Sequence, residues 1–135
     1  MKKSENIGTQ SYAHEASVLG KAFWSIVKLY NLNREEQALI LGVKKNGQRL
    51  LDLEKKNSIP EDVDKFSRVG ILIGIHKNLR MLYPYNRELV YGFIKQPWSL
   101  LNKKSPIDFL KEDPKASFQR LFTLRRMLDN LRVAY

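Results

Sequence analysis

The chain has 135 residues but no cysteine and only two histidines, and these absences narrow its chemistry. Without cysteine it forms neither disulfides nor thiolate metal sites, which fits a reducing compartment and predicts a cytoplasmic protein. His14 and His76 are far apart in the sequence, and neither has a partner at the spacing of a metal site. We therefore expect no metal and no cofactor.

The sequence motifs of common catalytic sites are absent as well. The chain has no G-x-x-x-x-G-K-[ST] loop, no G-x-S-x-G elbow and no H-E-x-x-H helix. Its clustered acidic residues fall at predicted helix starts, where negative charge stabilises a helix without any catalytic role. A carboxylate pair from distant segments stays open as an alternative, but we expect a protein that is not an enzyme.

Long apolar runs are lacking too. The run near the middle, residues 69–75, is far too short to span a bilayer. The first residues, MKKSENIGTQ, are charged, and the apolar region of a signal peptide does not follow them. We therefore expect no membrane partner.

Acidic residues are few compared with basic ones. The 24 Lys and Arg residues exceed the 14 Asp and Glu residues, so the formal net charge is +10. A charge of this size favours an acidic partner such as nucleic acid. The alternative is that the charge serves only general solubility.

Apolar residues recur at helical spacing in every apolar segment, and no segment alternates with period two. This pattern predicts an all-α protein of about seven helices. We expect a disordered tail over residues 1–14, an Xre-like helix-turn-helix region over 15–82 and a C-terminal three-helix module over 83–135. In the first helix, Trp24 lies off the centre of the apolar stripe and is expected to be partly exposed. The expected core residues include Val69, Ile73, Phe93, Leu110, Phe122 and Leu128.

A helix-turn-helix pattern lies between Asn33 and Lys55. Asn33 is the candidate N-cap of one short helix, and Gly42 suits its left-handed C-cap. A second helix is predicted to follow and to begin with Lys45, Asn46, Gln48 and Arg49, and in helix-turn-helix proteins residues at these early positions face bases and phosphates. The alternative is a plain helical hairpin with a solvated basic face. The predicted DNA-binding residues are Lys44, Lys45, Asn46, Gln48 and Arg49.

The last third of the chain contains three further helices with clear start signals. Asn86 is a candidate N-cap, and Pro97 ends the helix that follows. Ser105 with Pro106 places a capping hydroxyl before a proline at the first helical position. The Asp113-Pro114 step repeats this signal before the last helix.

These residues resemble the C-terminal module of the Xre/MbcA/ParS toxin-binding antitoxins. The matching features are Pro84, Asn86, Pro97, the Ser105-Pro106-Ile107 step and the helix over residues 121–131. Phe93 stands where that family usually has tryptophan, and the usual glycines near Asn102 and Asp113-Pro114 are missing.

The resemblance implies an antitoxin of a type II toxin-antitoxin system. Such a protein neutralises a toxin by direct binding, and in well-matched members the toxin is an NAD-degrading or ADP-ribosylating enzyme of the RES type. The helix-turn-helix part would bind operator DNA as a homodimer and so autoregulate the operon. A stand-alone helix-turn-helix regulator without a toxin is the alternative, and an unrelated all-helical adaptor is a third.

The predicted toxin-binding residues lie in the last helix, in a final short tail and in the loop after Pro97. Adjacent arginines on a helix point about 100° apart, so one of Arg125 and Arg126 must border the apolar side. We expect no helix to hold Trp98, and we expect the last residues to enter a cleft of the partner. The full set is Trp98, Arg125, Arg126, Arg132, Val133 and Tyr135.

Overall fold

A computed structural model describes residues 2–134 of the chain, with side chains described for residues 11–134. Within this part the only β-type pairing is a single bridge between Trp98 and Lys104, so the all-α prediction is confirmed. The helices are α1 (Lys2–Tyr30), α2 (Arg34–Leu41), α3 (Gly47–Lys55), α4 (Val63–Leu82), α5 (Arg87–Gly92), α6 (Pro106–Glu112) and α7 (Ser117–Ala134). Short 3₁₀ turns cover Phe93–Lys95, Ser99–Leu101 and Pro114–Ala116.

Most of the predicted capping residues occupy the predicted helix ends. Asp113 is the exception, because its side chain makes no capping hydrogen bond, and the proline after it opens a 3₁₀ turn while α7 begins only at Ser117. The Asn33 side chain accepts a hydrogen bond from the Glu36 N–H at 2.8 Å, and Glu36 accepts one from the Asn33 N–H at 2.9 Å. This reciprocal pair is a capping box. Gly42 ends α2 with a φ of 70°, the left-handed conformation that glycine adopts without strain. Asn86 and Ser105 cap α5 and α6.

Helix α1 begins earlier than the sequence predicts. We expected a disordered tail over residues 1–14, but α1 starts at Lys2, and Met1 lies outside the described residues. The segment contains no proline, and its Tyr12 ring packs edge-on against Phe66 of α4 at 6.0 Å. This aromatic contact supports the helix ahead of its main apolar stripe.

Helix α4 is the centre of the fold and lies between α1 and α7. On the α7 side, Arg68 pairs with Ser117 near the start of both helices, and Asn78 pairs with Arg132 near their ends. The two helices therefore run in the same direction. Their last turns lie at the same end of the molecule, although a long connection separates them in sequence.

Gly20 allows α1 to approach the loop before α4 very closely. A Cβ atom at this position would lie 2.5 Å from the carbonyl oxygen of Asn57 and 2.5 Å from the Cα of Ser58. Nearby, the Trp24 indole N–H donates to the Ser58 carbonyl at 2.8 Å. Trp24 is buried beneath this loop, so the expectation of a partly exposed ring was wrong.

The core contains most of the residues predicted for it. Phe122 is the exception, because 51% of it is exposed. The buried stripe of α7 runs through Leu121, Leu124 and Leu128, and Phe122 lies about 100° away from that stripe. The predicted residues that are buried are Val69, Phe93, Leu110 and Leu128, and Ile73 is partly buried.

Arg68 is a buried arginine that connects three helices. Its guanidinium donates to the Asp64 carboxylate at 3.0 Å, to the Ser117 hydroxyl at 2.8 Å and to the Ile40 carbonyl at 3.5 Å. The guanidinium also lies over the Phe118 ring at 5.5 Å. This one side chain thus connects the end of α2 and the start of α7 to α4.

Candidate functional site

The predicted DNA-binding residues are all exposed, but not all lie on a helix. Lys44 and Lys45 belong to the loop before α3, since α3 begins only at Gly47. Asn46 is the N-cap of α3, and its side chain accepts a hydrogen bond from the Arg49 N–H at 3.1 Å. The prediction that the helix begins with Lys45 and Asn46 was therefore wrong.

Helices α2 and α3 pack against each other through a turn that starts at Gly42. An ion pair of 2.9 Å between Arg34 and Glu54 also connects them. On α3, Leu50 is buried, while the opposite face is exposed. That face, with the residues that flank it, presents Lys44, Lys45, Gln48, Arg49, Asp52, Lys55 and Lys56. We call this set the basic surface.

The basic surface carries more positive than negative charge. Its only acid is Asp52, which accepts a hydrogen bond from the Gln48 amide at 2.9 Å. Five cations therefore face solvent with one carboxylate among them. Such an arrangement can attract phosphate groups. Two of the side chains predicted to contact bases are already engaged, since Asn46 caps α3 and the Gln48 amide donates to Asp52.

Trp98 is held in place more firmly than the sequence suggests. Its ring packs edge-on against Phe93 at 5.0 Å. Its backbone N–H donates to the Lys104 carbonyl at 3.0 Å and closes the loop that follows Pro97. Trp98 is therefore partly buried against the core, and the expectation of an unsupported ring was wrong because the loop folds back on itself.

The two adjacent arginines of α7 have different surroundings. Arg125 is half-buried against α4, where a Cβ atom on Gly74 would lie 2.6 Å from its Cζ atom. Arg125 thus fills the gap that this glycine leaves between the two helices. Arg126 is exposed on the outer side of α7. The expectation that one of the pair borders the apolar side is confirmed for Arg125.

Arg132 and Val133 lie in the last turn of α7, so the expected short tail is helical at these positions. The Arg132 guanidinium donates to the buried Asn78 side-chain oxygen at 2.8 Å, and the Asn78 amide donates to Asp129 at 2.7 Å. Val133 is 88% exposed. Tyr135 lies outside the described residues.

A further group of exposed side chains, not predicted from the sequence, surrounds Arg132. A groove of about 620 Å³ is lined by Met81, Leu82, Tyr83 and Arg132. Met81 is 58% exposed, and Tyr85 in the loop before α5 is 99% exposed. We call Met81, Tyr83, Tyr85, Arg132 and Val133 the tip surface.

The composition of the tip surface is typical of an interaction site. Methionine, aromatic residues and arginine are the types enriched in protein interfaces, and exposed apolar groups in one place favour a partner. The signal in the sequence is the Tyr83-Pro84-Tyr85 step directly after an apolar helix. It places two tyrosines where helix packing has ended.

A smaller pocket of about 180 Å³ adjoins the groove and shares Tyr83 with it. Its lining consists of Arg80, Tyr83, Pro84, Arg87, Val90 and Tyr91. The Tyr91 ring stacks on His76, with 6.4 Å between ring centroids and 15° between planes. His76 in turn is hydrogen-bonded through Nδ1 to the Tyr30 hydroxyl at 2.8 Å.

The titratable groups behind this pocket are uncharged near neutral pH. Burial, followed by the charge of Arg80, lowers the pKa of His76 below its ordinary value. Burial, followed by the nearby Tyr91, raises the pKa of Tyr30 well above its ordinary value. His76 and Tyr30, behind the pocket, therefore add no charge. The charge that lines the pocket is that of its two arginines.

No cluster of three His, Cys, Asp or Glu side chains able to hold a metal ion occurs among the described residues. Within residues 2–134, every helix is too short or too polar to cross a membrane. Comparison of the chain with protein-family models, curated proteins and solved structures finds no match. The resemblance to toxin-binding antitoxins therefore stays a prediction from the residues that carry it.

Proposed function

We propose that the chain is the antitoxin of a type II toxin-antitoxin pair and acts by binding a partner protein rather than by catalysis. The tip surface is the observation that carries the proposal. It groups exposed apolar side chains with Arg132 and Val133, two residues predicted to bind the toxin from the resemblance. Binding there would remove Met81, Tyr85 and Val133 from water, and burial of apolar area drives association.

The charge of this end supports a partner with an acidic surface. Arg132 lines the groove itself, and Arg80 and Arg87 line the pocket that shares Tyr83 with it. Arginine can pair with two oxygens of a carboxylate at once, which favours it as an interface anchor. By the resemblance, the partner is a toxin of the RES type, and the end of α7 approaches its active site.

Co-purification with the protein encoded by the neighbouring reading frame tests this proposal. We expect Tyr85→Ser and Met81→Ser, alone and combined, to reduce recovery of the partner and protection from its toxicity. Phe122→Ser is the matched control, because Phe122 is a comparably exposed apolar residue on α7 outside the tip surface. Equal recovery with the double variant and the control would overturn the proposal.

The basic surface favours a second activity, the binding of operator DNA to autoregulate the operon. Lys44, Lys45 and Arg49 are exposed around the start of α3 and are placed to contact phosphates. Because operators for such proteins are usually palindromic, we propose a homodimer on DNA. A regulator with this activity but no toxin partner is the competing function.

Anisotropy titrations with promoter DNA at several salt concentrations test the second activity. Replacing Lys44, Lys45 and Arg49 together by glutamine should weaken binding. It should also reduce the slope of log affinity against log salt concentration by roughly 0.9 for each phosphate that is no longer neutralised. Replacing the exposed Lys21, Lys28 and Lys77 together by glutamine removes the same number of charges elsewhere and is the control for net charge. Equal losses of affinity in both variants would mean that binding depends only on overall charge.

A further inference from the structure

The small pocket between the end of α4 and α5 contains two arginines that have no side-chain partner among the described residues. Arg80 and Arg87 both line it, and the ion pairs among the described residues all involve other cations. Neither guanidinium donates a side-chain hydrogen bond to another described residue. Two arginines at one pocket repel each other, so an anion bound between them would be favoured.

The rest of the lining adds hydroxyl groups and apolar surface but no negative charge. Tyr83 and Tyr91 supply aromatic rings and hydroxyls, while Pro84 and Val90 are apolar. Glu88 follows Arg87 in sequence and lines a neighbouring depression, which shares Pro84 and Arg87 with this pocket. The pocket therefore combines positive charge with two aromatic rings in a lining that is mainly polar, which suits a ligand that carries an anionic group on one ring.

The walls of the pocket are fixed before any ligand arrives. Tyr91 stacks on His76, which the buried Tyr30 hydroxyl holds through a hydrogen bond of 2.8 Å. The backbone of Tyr83 is also held, because its N–H donates to the Leu79 carbonyl at 2.9 Å. A fixed wall reduces the entropy lost on binding.

We propose that this pocket binds the phosphoryl group of a small aromatic phosphate. A phosphomonoester carries close to two negative charges and three strong acceptor oxygens, so it can neutralise both guanidiniums, whereas a carboxylate has one charge and two oxygens to share between them. The volume of about 180 Å³ is below the roughly 300–1,000 Å³ of sites for drug-sized molecules, so the ligand is one ring with its phosphoryl group.

Titration of the ¹⁵N-labelled chain with phenyl phosphate, followed by NMR, tests the proposal. The amide signals of residues 80–91 should shift in a saturable way. Benzoate and inorganic phosphate should bind at least several-fold more weakly, since each lacks one of the two features. Equal affinity for benzoate would overturn the assignment to a phosphoryl group, and no shift in residues 80–91 would overturn the site itself.

Two arginine variants and one control complete the test. Arg80→Gln and Arg87→Gln should each weaken phenyl phosphate binding about tenfold or more, because each removes a charge-assisted hydrogen bond. Both side chains are exposed, so either variant is expected to fold. Lys115→Gln, at an exposed lysine in the turn before α7, should leave the affinity unchanged. An equal loss in the control would show only diffuse attraction, and the outcome is independent of partner co-purification.

Discussion

The substitution Arg68→Met tests whether one buried guanidinium holds α2, α4 and α7 together. Methionine keeps much of the aliphatic length that packs beside Phe118 but has no donor group. The hydrogen bond of 2.8 Å to the Ser117 hydroxyl is removed, as is the ion pair with Asp64. We therefore expect a less stable protein that retains its helices.

The size of the destabilisation follows from the separate interactions. Ser117 is buried, and a hydrogen bond to a charged group contributes about 1.5–3 kcal/mol. The Ile40 hydrogen bond is long at 3.5 Å and adds little. The Asp64 side chain is 42% exposed, so its ion pair contributes about 0–1 kcal/mol. Partial burial opposes ionisation of Asp64, but the hydrogen bonds and charges of Lys65 and Arg68 outweigh it and lower the pKa of Asp64.

Together these contributions predict a decrease of about 1.5–4 kcal/mol in the free energy of unfolding. Urea unfolding followed by far-ultraviolet circular dichroism measures it, with an unchanged m-value as the sign that only stability changed. Arg126→Met, on the exposed side of α7, should stay within about 0.5 kcal/mol of the parent protein. Equal midpoints for the two variants would refute the role given to Arg68.

Other stability predictions concern two glycines and one histidine. Gly20→Ala should lower the free energy of unfolding by about 1–3 kcal/mol, because the added Cβ would lie 2.5 Å from the backbone of Ser58. Gly70 also lies inside a helix but has open space around it, so Gly70→Ala should raise the free energy of unfolding by about 0.5–1 kcal/mol. Similar shifts in melting temperature for the two variants would contradict the close packing at Gly20. For His76, burial and then the charge of Arg80 lower the pKa, so below pH ~6.5 the unfolded chain binds more protons than the folded one. Stability should therefore fall as the pH drops through that range. The stability of His76→Gln should fall less over the same range, and an equal fall would argue against a neutral, partly buried imidazole at this position.

The helix ends could be predicted because capping is local. Asn33, Gly42 and Ser105 each bond within a few residues of themselves, so the short sequence around them holds the whole interaction. Asn46 shows the limit of this reasoning. Asparagine suits both an N-cap and a contact with adenine, and only the extended backbone at this residue, with a φ of −139°, identifies the cap.

Burial of large side chains at the edge of a stripe could not be predicted from helical spacing. Trp24 and Phe122 both lie beside an apolar stripe, yet one is buried and the other is half-exposed. The difference lies in what covers them. The loop at Ser58 closes over Trp24 and accepts its indole hydrogen bond, whereas none of the described elements covers Phe122 to the same extent. The path of a distant loop decides such positions.

The tip surface depends on long-range geometry in the same way. Met81 and Arg132 line one groove because α4 and α7 run in the same direction, and the segment between them must therefore return across the molecule. The local sequence pattern around either residue does not indicate that the two helices are parallel. The sequence identified Arg132 and Val133 as candidates, but their neighbours Met81 and Tyr83 became apparent only from the packing of the two helices.

The last turn of α7 determines which variants can test partner binding cleanly. Removal of Arg132 would leave the buried Asn78 oxygen without its donor, and an unsatisfied buried group costs about 1–3 kcal/mol. A truncation that includes Arg132 would therefore lower both stability and partner binding. Removal of an unstructured tail, by contrast, would leave the stability of the fold unchanged. Val133 and Tyr85 are almost fully exposed and make no side-chain hydrogen bond to the described residues. Loss of partner binding on substitution at these two positions would report on the interface itself.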